Sequence, residues 1–170
     1  VCESGPSFQP PVPLLMNRLL FFYTLFFALQ LISAALLYLE KVGFHPAEVL
    51  EAYRGSEAMI AAFPGRDDHY RSPRSFSSLL GLASGHFLAF GLAGFIFLHW
   101  FKSHAKPVSL WPGQLFLLSG FVEAICPLLV RYGPHFLIYG RPFIFLFFLA
   151  MAFVVFLQMM HLLYRDRASR

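Results

Sequence analysis

Four uninterrupted apolar runs constrain this chain more than any other feature. They extend from about Leu19 to Leu39, Leu79 to Phe101, Leu110 to Val130 and Phe143 to Tyr164. Each is roughly twenty residues, the length that crosses ~30 Å of hydrocarbon at about 1.5 Å of helical rise per residue. Lipid offers the backbone no hydrogen bonds, so a spanning run must satisfy its own N–H and C=O groups as a helix. The predicted fold class is all-α: a polytopic membrane protein forming a four-transmembrane-helix bundle, with the lipid bilayer as its first partner. The alternative, buried helices of a large soluble protein, fails on composition. Apolar residues make up 58% of the 170 and charged residues 13%, with 22 phenylalanines. That leaves too little polar chain to cover four such runs, since a soluble domain is about a quarter charged.

The links between the runs differ. Residues 40–78 form a long loop holding most of the acidic residues, whereas Lys102 to Ser109 and Arg131 to Pro142 are short. Gly133-Pro134, Gly140 and Pro142 read as turn signals in the last of these. Within the long loop, His45 to Gly55 predicts a short surface helix. Pro46 suits its first position, Glu48 its positive end and Gly55 its stop. Val49, Leu50 and Tyr53 share one face, expected against the membrane surface or the bundle. The expected organisation is a tail over residues 1–18, a membrane domain over 19–164 and a basic C-terminal tail over 165–170. Residues 1–15 lack the charged start and cleavage site of a secretory signal. Met16-Asn17-Arg18 before an apolar run looks like the start of a membrane protein.

The net charge of +4 is not a nucleic-acid signal, because the basic residues flank the apolar runs and form no single patch. They bear on orientation instead. Arg18, Lys102, Lys106, Arg165, Arg167 and Arg170 lie on one side, in short flanking segments. Lys41, Arg54, Arg66, Arg71, Arg74, Arg131 and Arg141 lie on the other. Short flanks weigh most, so both termini are expected in the cytoplasm and the 40–78 loop outside, which in a bacterial inner membrane is the periplasm. Cys2 and Cys126 form no metal-spaced or redox pair.

Few ionisable side chains lie inside the runs. With this topology Gln30, His86 and Glu123, from three different helices, all fall roughly 10–14 Å below the loop-side boundary. A buried charge there costs about 2.5–3.5 kcal/mol, which a Glu123–His86 contact with Gln30 nearby reduces. Cys126 lies one turn from Glu123, and Pro127 frees a backbone carbonyl of the same helix. This polar layer reads either as a clasp fixing helix packing or as a proton-handling or cofactor site. Gly81, Gly85, Ala89 and Ala93 form a small-residue ridge that lets a further helix approach closely.

His99 and His161 lie near the ends of the second and fourth runs in the other leaflet. Paired imidazoles are the ligand set of a b-type haem, so His86, His99 and His161 are the candidate cofactor-binding residues and haem b the candidate cofactor. His86 and His99 are thirteen residues apart, about 140° around a helix, so one helix does not present both to stacked haems. His45, His69 and His135, with Asp67 and Asp68, offer at most a weak metal site, and Met159-Met160-His161 a weak copper one. No phosphate loop, nucleophile elbow or HExxH motif is present, and no independent catalytic activity is expected.

Two stretches carry a resemblance. One is Pro46-Ala47-Glu48 through Tyr53-Arg54-Gly55-Ser56-Glu57, followed by Pro73-Arg74-Ser75-Phe76 and by Leu79-Leu80 with His86. The other is Cys126-Pro127-Leu128-Leu129-Val130-Arg131-Tyr132. Together they resemble uncharacterised small four-helix membrane proteins of bacteria. The resemblance implies the fold and carries no activity. It also implies a second histidine two residues after the first, where this chain has Leu88. The functional expectation is a small subunit of a membrane redox or electron-transfer complex, binding haem b or lying near quinone. The alternatives are a non-catalytic accessory subunit packed against other membrane-protein subunits, and a proton-coupled transport component using Glu123 and His86.

Overall fold

The computed structural model describes residues 14–65, 71–102 and 109–168, with side chains from residue 18 to residue 165. Six helices make up the described residues: α1 (Leu14–Lys41), α2 (Pro46–Arg54), α3 (Ser56–Ala62), α4 (Phe76–Lys102), α5 (Trp111–Tyr132) and α6 (Leu137–Ala168). Four of them contain spans long and apolar enough to cross a membrane: Arg18–Lys41, Phe76–Lys102, Trp111–Tyr132 and Leu137–Arg165. Their outward faces carry bare apolar side chains such as Phe26, Leu88, Phe95 and Phe143, which lipid solvates and water would not.

α5 packs against both α4 and α6, and α1 leans chiefly on α6. The α4–α5 seam is close because glycines accept side chains from across it. A Cβ on Gly94 would collide with Leu117, and one on Gly120 would fall 3.0 Å from Phe90. Gly81 and Gly85 of the expected ridge are exposed and have open space around them, so the close approach uses other glycines than the spacing suggested.

Two core layers follow one another along the bundle. The layer at the α2 end joins Tyr38, Val49, Leu50, Tyr53, Leu79, Cys126, Val130, Ile138 and Phe145. The other joins Leu20, Phe97, Trp100, Phe101, Phe116, Phe148, Val155, Met159 and Leu162. The surface helix forms as its sequence predicts and docks on the bundle. His45 Nδ1 accepts from the Ala47 N–H, the His45 N–H donates to Glu48 Oε2, and Pro46 opens the first turn. Val49, Leu50 and Tyr53 are buried against α5 and α6.

A second short helix, α3, follows at once, because Gly55 reverses the chain at φ 90° and ψ 167°. The returning strand of loop lies beside that turn: Ser56 N–H donates to the Arg71 carbonyl at 3.0 Å, Arg71 N–H to Ser56 Oγ at 2.8 Å, and Arg74 N–H to the Tyr53 carbonyl at 3.3 Å. A Cβ at Gly55 would lie 2.9 Å from both Cδ and N of Pro73. Gly55→Ala therefore combines left-handed backbone strain with a backbone clash. It is expected to destabilise the protein by about 1–3 kcal/mol, read as a lowered unfolding midpoint in detergent.

α6 begins earlier than the hydropathy run does. Gly140 and Pro142, taken above as turn residues, lie inside its first two turns, and the link from α5 shrinks to residues 133–136. A proline near a helix start removes little, since the leading N–H groups have no intrahelical acceptor. This extension carries Arg141 out of the loop and into the bundle.

Candidate functional site

Glu123 is in the middle of α5 and Arg141 in the second turn of α6, and each is 3% exposed. The guanidinium grips the carboxylate with two parallel bonds, Nη1 to Oε2 and Nη2 to Oε1, both 2.6 Å. Its Nε donates to the Tyr53 hydroxyl at 3.3 Å, which ties α2 into the same cluster. Its flat face lies 5.0 Å from the Tyr38 ring centre and 6.0 Å from that of Phe145. Those two rings stack in turn, 3.8 Å apart and 6° from parallel. Every N–H of such a buried cation needs an acceptor, and a guanidinium with a carboxylate, a hydroxyl and aromatic faces is well provided.

The expected Glu123–His86 contact is thus replaced by Glu123–Arg141. No hydrogen bond joins His86 to Glu123 among the described residues. The reason is chemical: a guanidinium presents two parallel charged donors to both carboxylate oxygens, and an imidazole presents one. Arg141 was absent from the sequence-derived layer because Gly140 and Pro142 made its segment look like a turn. The signal that finds it is the unpaired Glu123 itself, since a carboxylate in lipid calls for a cation one helix away.

Beside the pair lies a cavity of about 480 Å³, within the range of small-molecule sites. Gln30 and Tyr38 of α1, His86 and Phe90 of α4, Glu123 of α5, and Arg141, Phe145 and Phe148 of α6 all border it. Gln30, His86 and Glu123 therefore do face one space. α1 and α4 border it without forming a packed seam there, whereas nearer the other end Tyr23 and Phe27 close on Phe97. The cavity is a cleft between α1 and α4, floored by aromatic rings and roofed by Tyr53 and Arg74.

Two of its lining residues leave a buried polar atom without a partner among the described residues, Tyr38 Oη and His86 Nδ1. Such atoms are costly unless something accepts or donates to them. The His86 ring also stacks on Phe90, with centres 5.2 Å apart.

The other sequence candidates lie elsewhere. His99 and His161 are both exposed, with the His99 ring against Phe95. The core between the helices at their level is filled by Phe97, Trp100, Phe101, Met159 and Leu162. Leu88, at the position where the resemblance implied a second histidine, is 74% exposed and turned away from the cleft. His45 caps α2, His135 is exposed, Met159 is in the core and Met160 outside it. His69, Asp67, Asp68 and Cys2 lie outside the described residues. Among the described residues, no three His, Cys, Asp or Glu side chains converge as a metal would need.

Four membrane-spanning helices around a polar cleft define a small polytopic membrane protein of all-helical fold. The chain belongs to the Aq_1264_TM family, a transmembrane helical domain, whose profile matches residues 43–169. α1, which forms one wall of the cleft, precedes the matched segment. No curated protein and no solved structure matches the chain.

Proposed function

We propose that this protein is a quinone-binding subunit of a membrane redox complex, with the α1–α4 cleft as the quinone site. One observation carries this reading: Tyr38 Oη and His86 Nδ1, unpartnered among the described residues, border a cavity that also presents the aromatic rings of Phe90, Phe145 and Phe148. A quinone ring is planar and apolar on its faces, and its two carbonyl oxygens accept hydrogen bonds. A tyrosine hydroxyl donates one, and an imidazole Nδ1 donates or accepts according to its protonation. The cleft lies within the spans, so an isoprenoid tail leaves between α1 and α4 into lipid. A partner subunit supplies the electrons.

Haem b is the less suitable occupant. His86 provides the one imidazole among the residues that border the cleft, whereas a b-type haem with paired imidazoles needs a second. The outward His99 and His161 do not supply it. Proton-coupled transport through Glu123 and His86 is less well supported, because Arg141 occupies both oxygens of Glu123.

The test is titration of the detergent-purified protein with a short-tail quinone analogue, followed calorimetrically. Tyr38→Phe and His86→Leu each remove one hydrogen bond and are expected to weaken binding about 5–30-fold. Absence of binding, or equal binding by all three proteins, overturns the reading.

A second reading is an accessory subunit packed against a larger assembly, favoured by the open space over the exposed Gly81 and Gly85. Gly81→Leu with Gly85→Leu is expected to release co-purifying subunits in mild detergent. Retention of every partner removes that support. For orientation we place the α2–α3 side in the periplasm of a bacterial inner membrane. Arg141 leaves that side's loop count by entering the bundle, and Arg54 is held by backbone carbonyls. The flanking Lys102 and Arg165 then weigh more on the cytoplasmic side.

A further inference from the structure

We propose that Lys41, Arg71 and Arg74 form a headgroup site for an anionic phospholipid at the mouth of the α1–α4 cleft. The three cations border one open cavity of about 440 Å³, which Ala52 and Ser72 also line. Its level in the membrane is set by the helices: Lys41 ends the first span and Phe76 opens the second. A cavity lined by Lys41, and by Arg74 two residues before Phe76, lies where lipid phosphates lie.

The cations are held in place before any ligand arrives. The Arg71 backbone is fixed on both sides by Ser56, and its Nη1 donates to the Lys41 carbonyl at 3.4 Å. The Arg74 N–H is bound to Tyr53 and its carbonyl accepts from Arg131 Nε at 3.3 Å, while its guanidinium lies 5.5 Å over the Tyr53 ring. Among the described residues no carboxylate pairs with Arg71 or Arg74. Among the described residues Lys41 pairs with its chain neighbour Glu40, at 2.6 Å on an exposed stretch. Three gathered cations at the edge of a low-dielectric layer repel one another, and an anion between them relieves that repulsion.

A phosphate monoanion or dianion satisfies this chemistry, and guanidinium forks suit its oxygens. The lipid source follows from the site's depth, which leaves acyl chains in the bilayer beside α1 and α4. Lys41 and Arg74 border the intramembrane cavity as well, so the bound headgroup sits over its opening. This site does not depend on what occupies the cleft.

The experiment is native mass spectrometry of the full chain in neutral detergent, titrated with phosphatidylglycerol, phosphatidylcholine or inorganic phosphate. Wild type is expected to retain phosphatidylglycerol at least tenfold better than phosphatidylcholine. Arg71→Gln with Arg74→Gln is expected to abolish that preference, and the exposed Lys41→Gln, which leaves the fold intact, to reduce it about fivefold. Equal retention of the two lipids, or an undiminished preference in Lys41→Gln, overturns the site. Full displacement of phosphatidylglycerol by equimolar inorganic phosphate overturns the lipid source and makes free phosphate the ligand.

Discussion

Arg141→Ala is expected to leave little folded protein, with a loss of about 3–5 kcal/mol, because it strands the Glu123 carboxylate in the bundle without a cation. Glu123 is 3% exposed, and both its oxygens are spent on Arg141. Arg141→Lys retains the charge but not the fork. One ammonium cannot reproduce two parallel bonds together with the bond to Tyr53, so an intermediate loss is expected.

The informative variant is double. Glu123→Leu with Arg141→Met removes both charges, and most of the stability should return, since apolar pairs replace buried ion pairs at little net loss. Thermal unfolding in detergent and the monodisperse fraction on size exclusion give the measurement. Stability of Arg141→Ala within about 0.5 kcal/mol of wild type contradicts a pair buried in the bundle.

The second large effect is expected at Arg54→Met, which keeps the length of the side chain and removes its donors. Arg54 Nε donates to the Val130 carbonyl at 2.8 Å and Nη2 to the Gly133 carbonyl at 2.5 Å. These bonds serve two elements at once. They cap carbonyls at the end of α5, which its own helix leaves unsatisfied, and they pin α2 to the bundle. Charged bonds of this kind contribute about 1.5–3 kcal/mol. Amide exchange across residues 46–54 is therefore expected to quicken about 10–100-fold as the segment opens locally, while helical content stays unchanged. Exchange in α2 that matches wild type means that Val49, Leu50 and Tyr53 hold the helix down without help.

The two variants separate what was legible early from what was not. The α2 helix could be read from Pro46, Glu48 and Gly55, which act within one or two helical turns of themselves, whereas the capping role of His45 was not read. Its docking partner could not, because a face bearing Val49, Leu50 and Tyr53 suits a lipid surface as well as a protein one. α3 went unread for a related reason: its seven residues have no length signal, and their helix depends on Gly55 and the returning Arg71 segment. At the site, spacing sufficed to bring Gln30, His86 and Glu123 to one depth. Depth says nothing of rotation, so Glu123 went to the wrong neighbour, and the true one lay hidden in a segment whose glycine and proline imitate a turn.

Hydropathy alone determined that four helices cross lipid, since apolar length is a property each segment has independently of the others. The tertiary structure decided which polar groups meet, because meeting depends on how helices are turned and where they begin. It gave Glu123 to Arg141, turned His99 and His161 outward, and opened a cleft between α1 and α4. Local residue patterns carry no record of such angles. They arise only when glycines such as Gly94 and Gly120 let two particular helices close on each other.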